Sequence, residues 1–316
     1  MPKKELLLSE LVNMDKPKIV YAEVKNIVAQ MDRGFDFSRL DQVFVDTVAL
    51  YNGHYPGYRR CTTDYHDLRH TTDVLLALAR LIHGAFADGV AFSSRHITNA
   101  LVSALFHDAG YIQTCDDDSG TGGKYTQTHV ERSAGFLTRY FAAKGWDRAD
   151  SVACRGIIHS TSHGHPVSDA PSSPELSMLC KMTASADLIG QLADRLYLEK
   201  LLFLYREFRE ANLMAGDSEL DLLKRTVDFY ESVKERLTTD LDNMHRFMRH
   251  HFRARWDMDR DLYMESVERN LVFLDELITN NQKDYRLRLK RGGLLDKLIR
   301  LELREKTRNS PPFHHH

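Results

Sequence analysis

The chain has 316 residues, enough for one large domain or two small ones. Its 43 Lys and Arg against 45 Asp and Glu give a formal net charge of −2, which excludes a nucleic-acid or membrane surface built from bulk charge. Hydrophobic residues at 42% and charged residues at 28% exclude a mostly disordered chain, and the few Pro and Gly leave long unbroken segments that favour helix.

In chain order, the first eighteen residues start basic but carry too short an apolar run for a signal peptide. No stretch approaches the ~20 apolar residues that cross a bilayer. The four cysteines, Cys61, Cys115, Cys154 and Cys180, form no C-x-x-C pair and read as reduced thiols. A cytoplasmic protein with no membrane partner is expected. Apolar residues recur at spacings of three and four over 37–51, 71–86 and 97–107. The same period runs through 129–143, 149–159, 175–190, 193–213, 218–238, 239–252 and 259–279. No alternating Val, Ile and Thr run promises a sheet, so the fold class is all-α.

Polar breaks fall at 52–64, 114–124 and 163–174. The acidic, glycine-rich 114–124 stretch reads as a mobile loop and a candidate for substrate selection. Residues 1–280 read as a single helical domain, 281–313 as a basic C-terminal helical extension, and 314–316 as a tag remnant. The extension suits homodimer contact or packing on the body better than nucleic-acid binding.

Five groups of His and Asp stand at apolar helix ends. They are His66, His70 and Asp73 in D-Y-H-D-L-R-H-T-T-D; His107 and Asp108 after A-L-F; His129 and Glu131; His159 with His163; and Asp187 in S-A-D-L-I. The first three residues follow helical spacing and share a face. A lone His of this kind is usually a hydrogen-bonded core residue and a lone Asp a helix cap. Five such segments together point to a metal held between helices. Imidazole with carboxylate suits Zn, Fe or Mn, and the lack of paired cysteines argues against a thiolate site.

This order of motifs resembles the HD-domain superfamily of metal-dependent phosphohydrolases over roughly residues 50–215. Within it, D64-Y-H-D-L-R-H-T-T-D-V74 is similar to the Y-H-N-x-x-H-A-x-D-V signature of class I cyclic nucleotide phosphodiesterases, with Asp67 in place of the Asn. The A184-S-A-D187-L stretch and the stretch from Tyr205 to Glu219 resemble two further motifs of those enzymes. The resemblance implies an HD-type helical bundle with a binuclear site and extra N- and C-terminal helices. It implies two divalent ions (Zn, Mn, Fe or Mg), the tighter one on His70, His107, Asp108 and Asp187, with Asp108 bridging. His129 and His159 match the extra histidines of binuclear members such as the HD-GYP group, although Gly110-Tyr111 stands where that group has Gly-Lys.

The implied reaction is hydrolysis of a cyclic nucleotide or related phosphodiester by a metal-bridged hydroxide, with His66 as general acid. The partner would be a small phosphate ester or nucleotide. Asp73 is a candidate to orient an imidazole, Glu131 to bond a metal-bound water, His163 to act in a lid, and Tyr111 to border the substrate. The alternatives are a nucleotide phosphomonoesterase of the same superfamily and a catalytically inactive ligand-binding module.

Overall fold

The structure, a computed structural model, describes residues 6–162, 173–280 and 282–309. Its helices are α1 (Leu8–Leu11), α2 (Pro17–Met31), α3 (Ser38–Tyr51), α4 (Leu68–Ala87), α5 (Ser94–Phe106), α6 (His129–Lys144) and α7 (Arg148–Ser160). They continue with α8 (Pro174–Leu192), α9 (Tyr197–Glu210), α10 (Glu219–Thr238), α11 (Phe247–Trp256), α12 (Leu262–Asn280), α13 (Tyr285–Arg288) and α14 (Leu294–Asn309). Among the described residues there is no strand, only an isolated bridge between Tyr58 and Thr114. The all-α expectation holds. No described helix is long and apolar enough to cross a membrane.

Helix α4 is the centre. It is buried continuously from His70 to Ala85, on all faces, because α2, α5, α8 and α11 pack around it. Apolar residues dominate its sequence, and His70, Asp73, Arg80 and His83 are buried along with them. Asp67 caps its N-terminus by accepting from the His70 N–H at 2.9 Å, so the acid at this position does the capping an Asn would do. Gly84 lets α11 approach closely, since a Cβ there would stand 1.8 Å from the Phe247 carbonyl oxygen.

Beside Gly84 a buried histidine pair joins the same two helices. The Nδ1 atoms of His83 and His251 lie 3.1 Å apart, so one donates and the other accepts. Burial, with Arg255 nearby, lowers the His83 imidazole to about 4. Burial, with Arg80, His83 and Arg255 nearby, lowers His251 as well. Unfolded histidines protonate near pH 6.5, so between there and about pH 4 this pair costs stability as pH falls, while the buried Asp73 carboxyl, raised to about 7, acts in the opposite sense. In denaturant melts the wild type should therefore lose stability relative to His83→Gln as pH falls from 6.5 toward 4.

Several boundaries differ from the periodicity. The segment read as a helix over 239–252 breaks because Asp242 and Asn243 take left-handed φ values of 48° and 56°, so α11 begins only at Phe247. The segment 193–213 shortens to α9, with the Asp194 carboxylate accepting from the Leu196 N–H just before it. The expected extra N-terminal helix is α2, which buries Val20, Val24, Ile27 and Val28 behind a Pro at its first turn. Within the basic C-terminal segment, Arg286 pairs with Glu219 at 2.7 Å, Arg291 with Glu199 at 2.8 Å and Lys297 with Asp64 at 2.6 Å. Leu295 and Leu298 are buried beneath them, so this segment packs on the body. Residues 314–316 lie outside the described residues.

Candidate metal centre

Helix α5 stops at Phe106, and the chain turns through His107 and Asp108 into a short 3-10 turn, Ala109–Tyr111. That turn swings both side chains to the face of α4 carrying His70. Helix α8 supplies Asp187 from the other side. The His70 Nε2 lies 3.3 Å from Asp108 Oδ2 and 3.2 Å from Asp187 Oδ1. The His107 Nε2 lies 3.3 Å from Asp108 Oδ2 and 3.6 Å from Asp187 Oδ1. The two Nε2 atoms are 3.4 Å apart. His107 donates from Nδ1 to the Ala104 carbonyl at 2.8 Å, which fixes the tautomer that points Nε2 inward.

The donor set fits a divalent cation. Candidate ligand atoms of His70, His107 and Asp187 lie within 4.8 Å of one another. Asp108 Oδ2, in the same cluster, is buried without a hydrogen-bond partner. Burial works against charge at His70, but the carboxylates of Asp108 and Asp187 override it and hold the imidazole up to about 9. Burial likewise opposes the ionised forms of Asp108 and Asp187, yet the imidazoles hold both carboxyls below the usual range. Nitrogen and oxygen donors with no thiolate suit Zn, Mn or Fe. The nearby Cys61 does not alter this, because burial pushes its thiol up to about 12.

His129, the first residue of α6, adjoins the cluster with Nε2 3.7 Å from Asp108 Oδ1. Burial lowers its pKa, and its Nδ1 donates to the Thr126 carbonyl at 2.7 Å. Gly110 makes this approach fit, since a Cβ there would lie 2.0 Å from the His129 carbonyl oxygen. Gly110→Ala should therefore destabilise the protein by about 1–3 kcal/mol in denaturant unfolding, by forcing α6 away from the 3-10 turn.

His66 stands just before α4 and is half-buried at the edge of the cluster. Its Nδ1 meets Glu207 Oε2 at 2.6 Å, and the Glu207 carboxylate also accepts from the Asp64 and Tyr65 backbone N–H groups at 3.1 and 2.8 Å. Glu207 is itself buried on α9. Sequence reasoning did not single it out, although it lies within the Tyr205–Glu219 stretch that carried part of the resemblance. Tyr111 is buried with its ring stacked 4.2 Å from His66 and 4.5 Å from His129, so it packs on the two imidazoles.

Other candidates stand apart from the cluster. Asp73 does not hydrogen-bond an imidazole; its carboxylate lies 4.0 Å from both Arg69 Nε and Lys200 Nζ. Glu131 is exposed and pairs with His159, Oε1 to Nδ1 at 3.3 Å, on the rim. Arg132, one residue on, donates to the Gly110 and Ile112 carbonyls and lies 3.4 Å over the Tyr125 ring. His163 lies outside the described residues. The 114–124 stretch is tied down rather than free: Glu210 accepts from Thr121, Asp117 accepts from Lys124 and Tyr125, and Cys115 bonds back to Gly57.

A cleft of about 1020 Å³ opens over the cluster. His66, Tyr111, His129, His159 and Asp187 form one side of it, and Leu201, Phe208, Met214 and Phe229 form an apolar wall opposite. The 114–124 stretch contributes no lining residue, so the wall facing a ligand comes from α9 and α10 instead.

A family model described as Npun_R2479-like matches residues 117–245. The match takes in His129, His159, Asp187 and Glu207 and leaves out His66, His70, His107 and Asp108. No curated protein matches the chain.

Proposed function

We propose that this chain is a metal-dependent phosphohydrolase of the HD type, acting as a phosphodiesterase on a cyclic nucleotide or related nucleotide phosphodiester. The observation that carries the reading is the meeting of His70, His107, Asp108 and Asp187 in one buried cluster, beside a His66–Glu207 pair in the same cleft. Those four residues would hold the first cation. Asp108, with Oδ2 toward His70 and His107 and Oδ1 toward His129, would help hold a second cation together with His129 and His159. Divalent cations there supply neutralising charge for the phosphoryl oxygens and acidify a water nucleophile.

The chain's own residues supply the rest. His66 is the general acid: Glu207 accepts from Nδ1, which leaves Nε2 to carry the proton that the departing oxygen takes. The carboxylate stabilises the imidazolium and fixes the ring's direction. Tyr111 backs the ring and excludes water from one face. The apolar wall of Phe208, Phe229, Leu201 and Met214 receives the organic part of the ester.

The test is a chromatographic turnover panel on protein lacking residues 314–316, with added Mn, Mg or Zn. It holds cyclic mononucleotides, cyclic dinucleotides, linear dinucleotides and nucleoside monophosphates. Conversion of a diester that Asp108→Ala abolishes is the expected result. Conversion of monophosphates alone would replace the diesterase reading with a phosphomonoesterase. Silence with metal bound would favour a binding module.

A further inference from the structure

Gln191 follows Asp187 by one helical turn on α8, and both side chains line the main cleft. Its amide is held from behind. The Tyr65 hydroxyl donates to Gln191 Oε1 at 2.5 Å. Tyr65 is 3% exposed, and its ring lies 4.9 Å from the His66 ring and 6.2 Å from the His70 ring. Its backbone N–H is held as well, by Glu207 at 2.8 Å.

This contact sets which end of the amide is free. Gln191 is the one hydrogen-bond partner of the Tyr65 hydroxyl among the described residues. A buried phenol needs an acceptor for its hydrogen, and the reverse amide orientation would leave that hydrogen unsatisfied. Oε1 is therefore taken, and Nε2 is left as a donor. Nε2 has no partner among the described residues, yet it is not sealed off, because Gln191 is part-exposed and the exposed part belongs to this cleft.

The rest of the cleft makes that donor useful. Arg225 is the lone Lys or Arg among its described lining residues, and it stands on α10 with Nη2 2.9 Å from Asp217. A phosphoryl group placed at the metal cluster has more oxygens than the cations take, and a fixed donor serves an oxygen left over. Side chains at i and i+4 start roughly 5–6 Å apart, which puts a Gln one turn beyond Asp187 beside such a group.

We infer that Gln191 Nε2 donates a hydrogen bond to a phosphoryl oxygen of the bound ester, in an orientation set by Tyr65. The inference deepens the reading of the metal centre given above and rests on it.

The experiment follows the side-chain amide resonances of the ¹⁵N-labelled, Zn-loaded full chain, with the Gln191 pair identified by its loss in Gln191→Met. Inorganic phosphate is the titrant. A saturable shift of the Gln191 pair is expected, and it should disappear once the metal is stripped. On the diester that is turned over, Gln191→Met should lower kcat on the order of 100-fold with Zn content unchanged. Tyr65→Phe removes only a hydroxyl, so it stands in if Gln191→Met misfolds. It should cost roughly 10-fold, because the amide is then free to turn. A Gln191 signal silent to phosphate would overturn the inference, and so would a shift that persists without metal. Diester turnover that Gln191→Met leaves intact would overturn it while the phosphodiesterase reading stands. A saturable, metal-dependent shift with no ester turned over would support the phosphoryl contact and count against the phosphodiesterase reading alone.

Discussion

Asp108→Ala should reduce turnover of any phosphate ester by on the order of a thousandfold, while the helical content stays that of the parent. Asp108 contributes one oxygen beside both His70 and His107 and the other toward His129. Removing it leaves the buried imidazoles of His70 and His107, and the half-buried one of His129, without the carboxylate between them. A cation held only by the remaining groups would bind weakly and out of place. Lewis-acid stabilisation of about 4 kcal/mol corresponds to that thousandfold loss. Steady-state rates on the best substrate, with circular dichroism as the folding control, check it. Retention of more than a small fraction of the rate would remove Asp108 from the chemistry.

The second large effect belongs to the pair at the edge of the cluster. His66→Ala should cost roughly 10²–10⁴-fold on a diester with a poor leaving group and far less on one with a good leaving group. Glu207→Gln should cost about 10–100-fold with the same dependence on leaving group, because it acts only through His66. The amide can still accept a hydrogen bond but no longer carries the charge that stabilises an imidazolium. Glu207 also accepts from the Asp64 and Tyr65 N–H groups. A purely structural role through those bonds would lower all substrates equally, whatever their leaving group. The double variant should be no slower than His66→Ala alone. Additive losses would separate the two residues.

Much of the cluster was legible because polar side chains that meet between apolar helices must leave them at an end or along one face, and such breaks show in sequence. Ala-Leu-Phe before His107-Asp108 is one, and Asp187 among Ser and Ala is another. The spacing of His66, His70 and Asp73 predicted one shared helix face, but His66 stands before α4, and i to i+3 leaves about 60° between side chains. His70 therefore reaches the cluster while Asp73 turns to Arg69 and Lys200. What could not be read was which carboxylate from a distant helix would meet His66. Glu207 looks like any other residue of the charged Y-R-E-F-R-E run, and only the packing of α9 brings it within 2.6 Å. The 114–124 stretch misled for a related reason. Gly and Asp usually mark a free loop, but here Glu210 and backbone bonds to the 57–59 segment hold it in place.

The most direct test of the account is the divalent metal content of the chain without residues 314–316, measured by plasma mass spectrometry after equilibration with Mn or Zn and desalting. The account predicts at least one ion held per wild-type chain and its loss in both His70→Ala and Asp187→Ala. A wild-type protein that retains no metal, or variants that keep it in full, would contradict it.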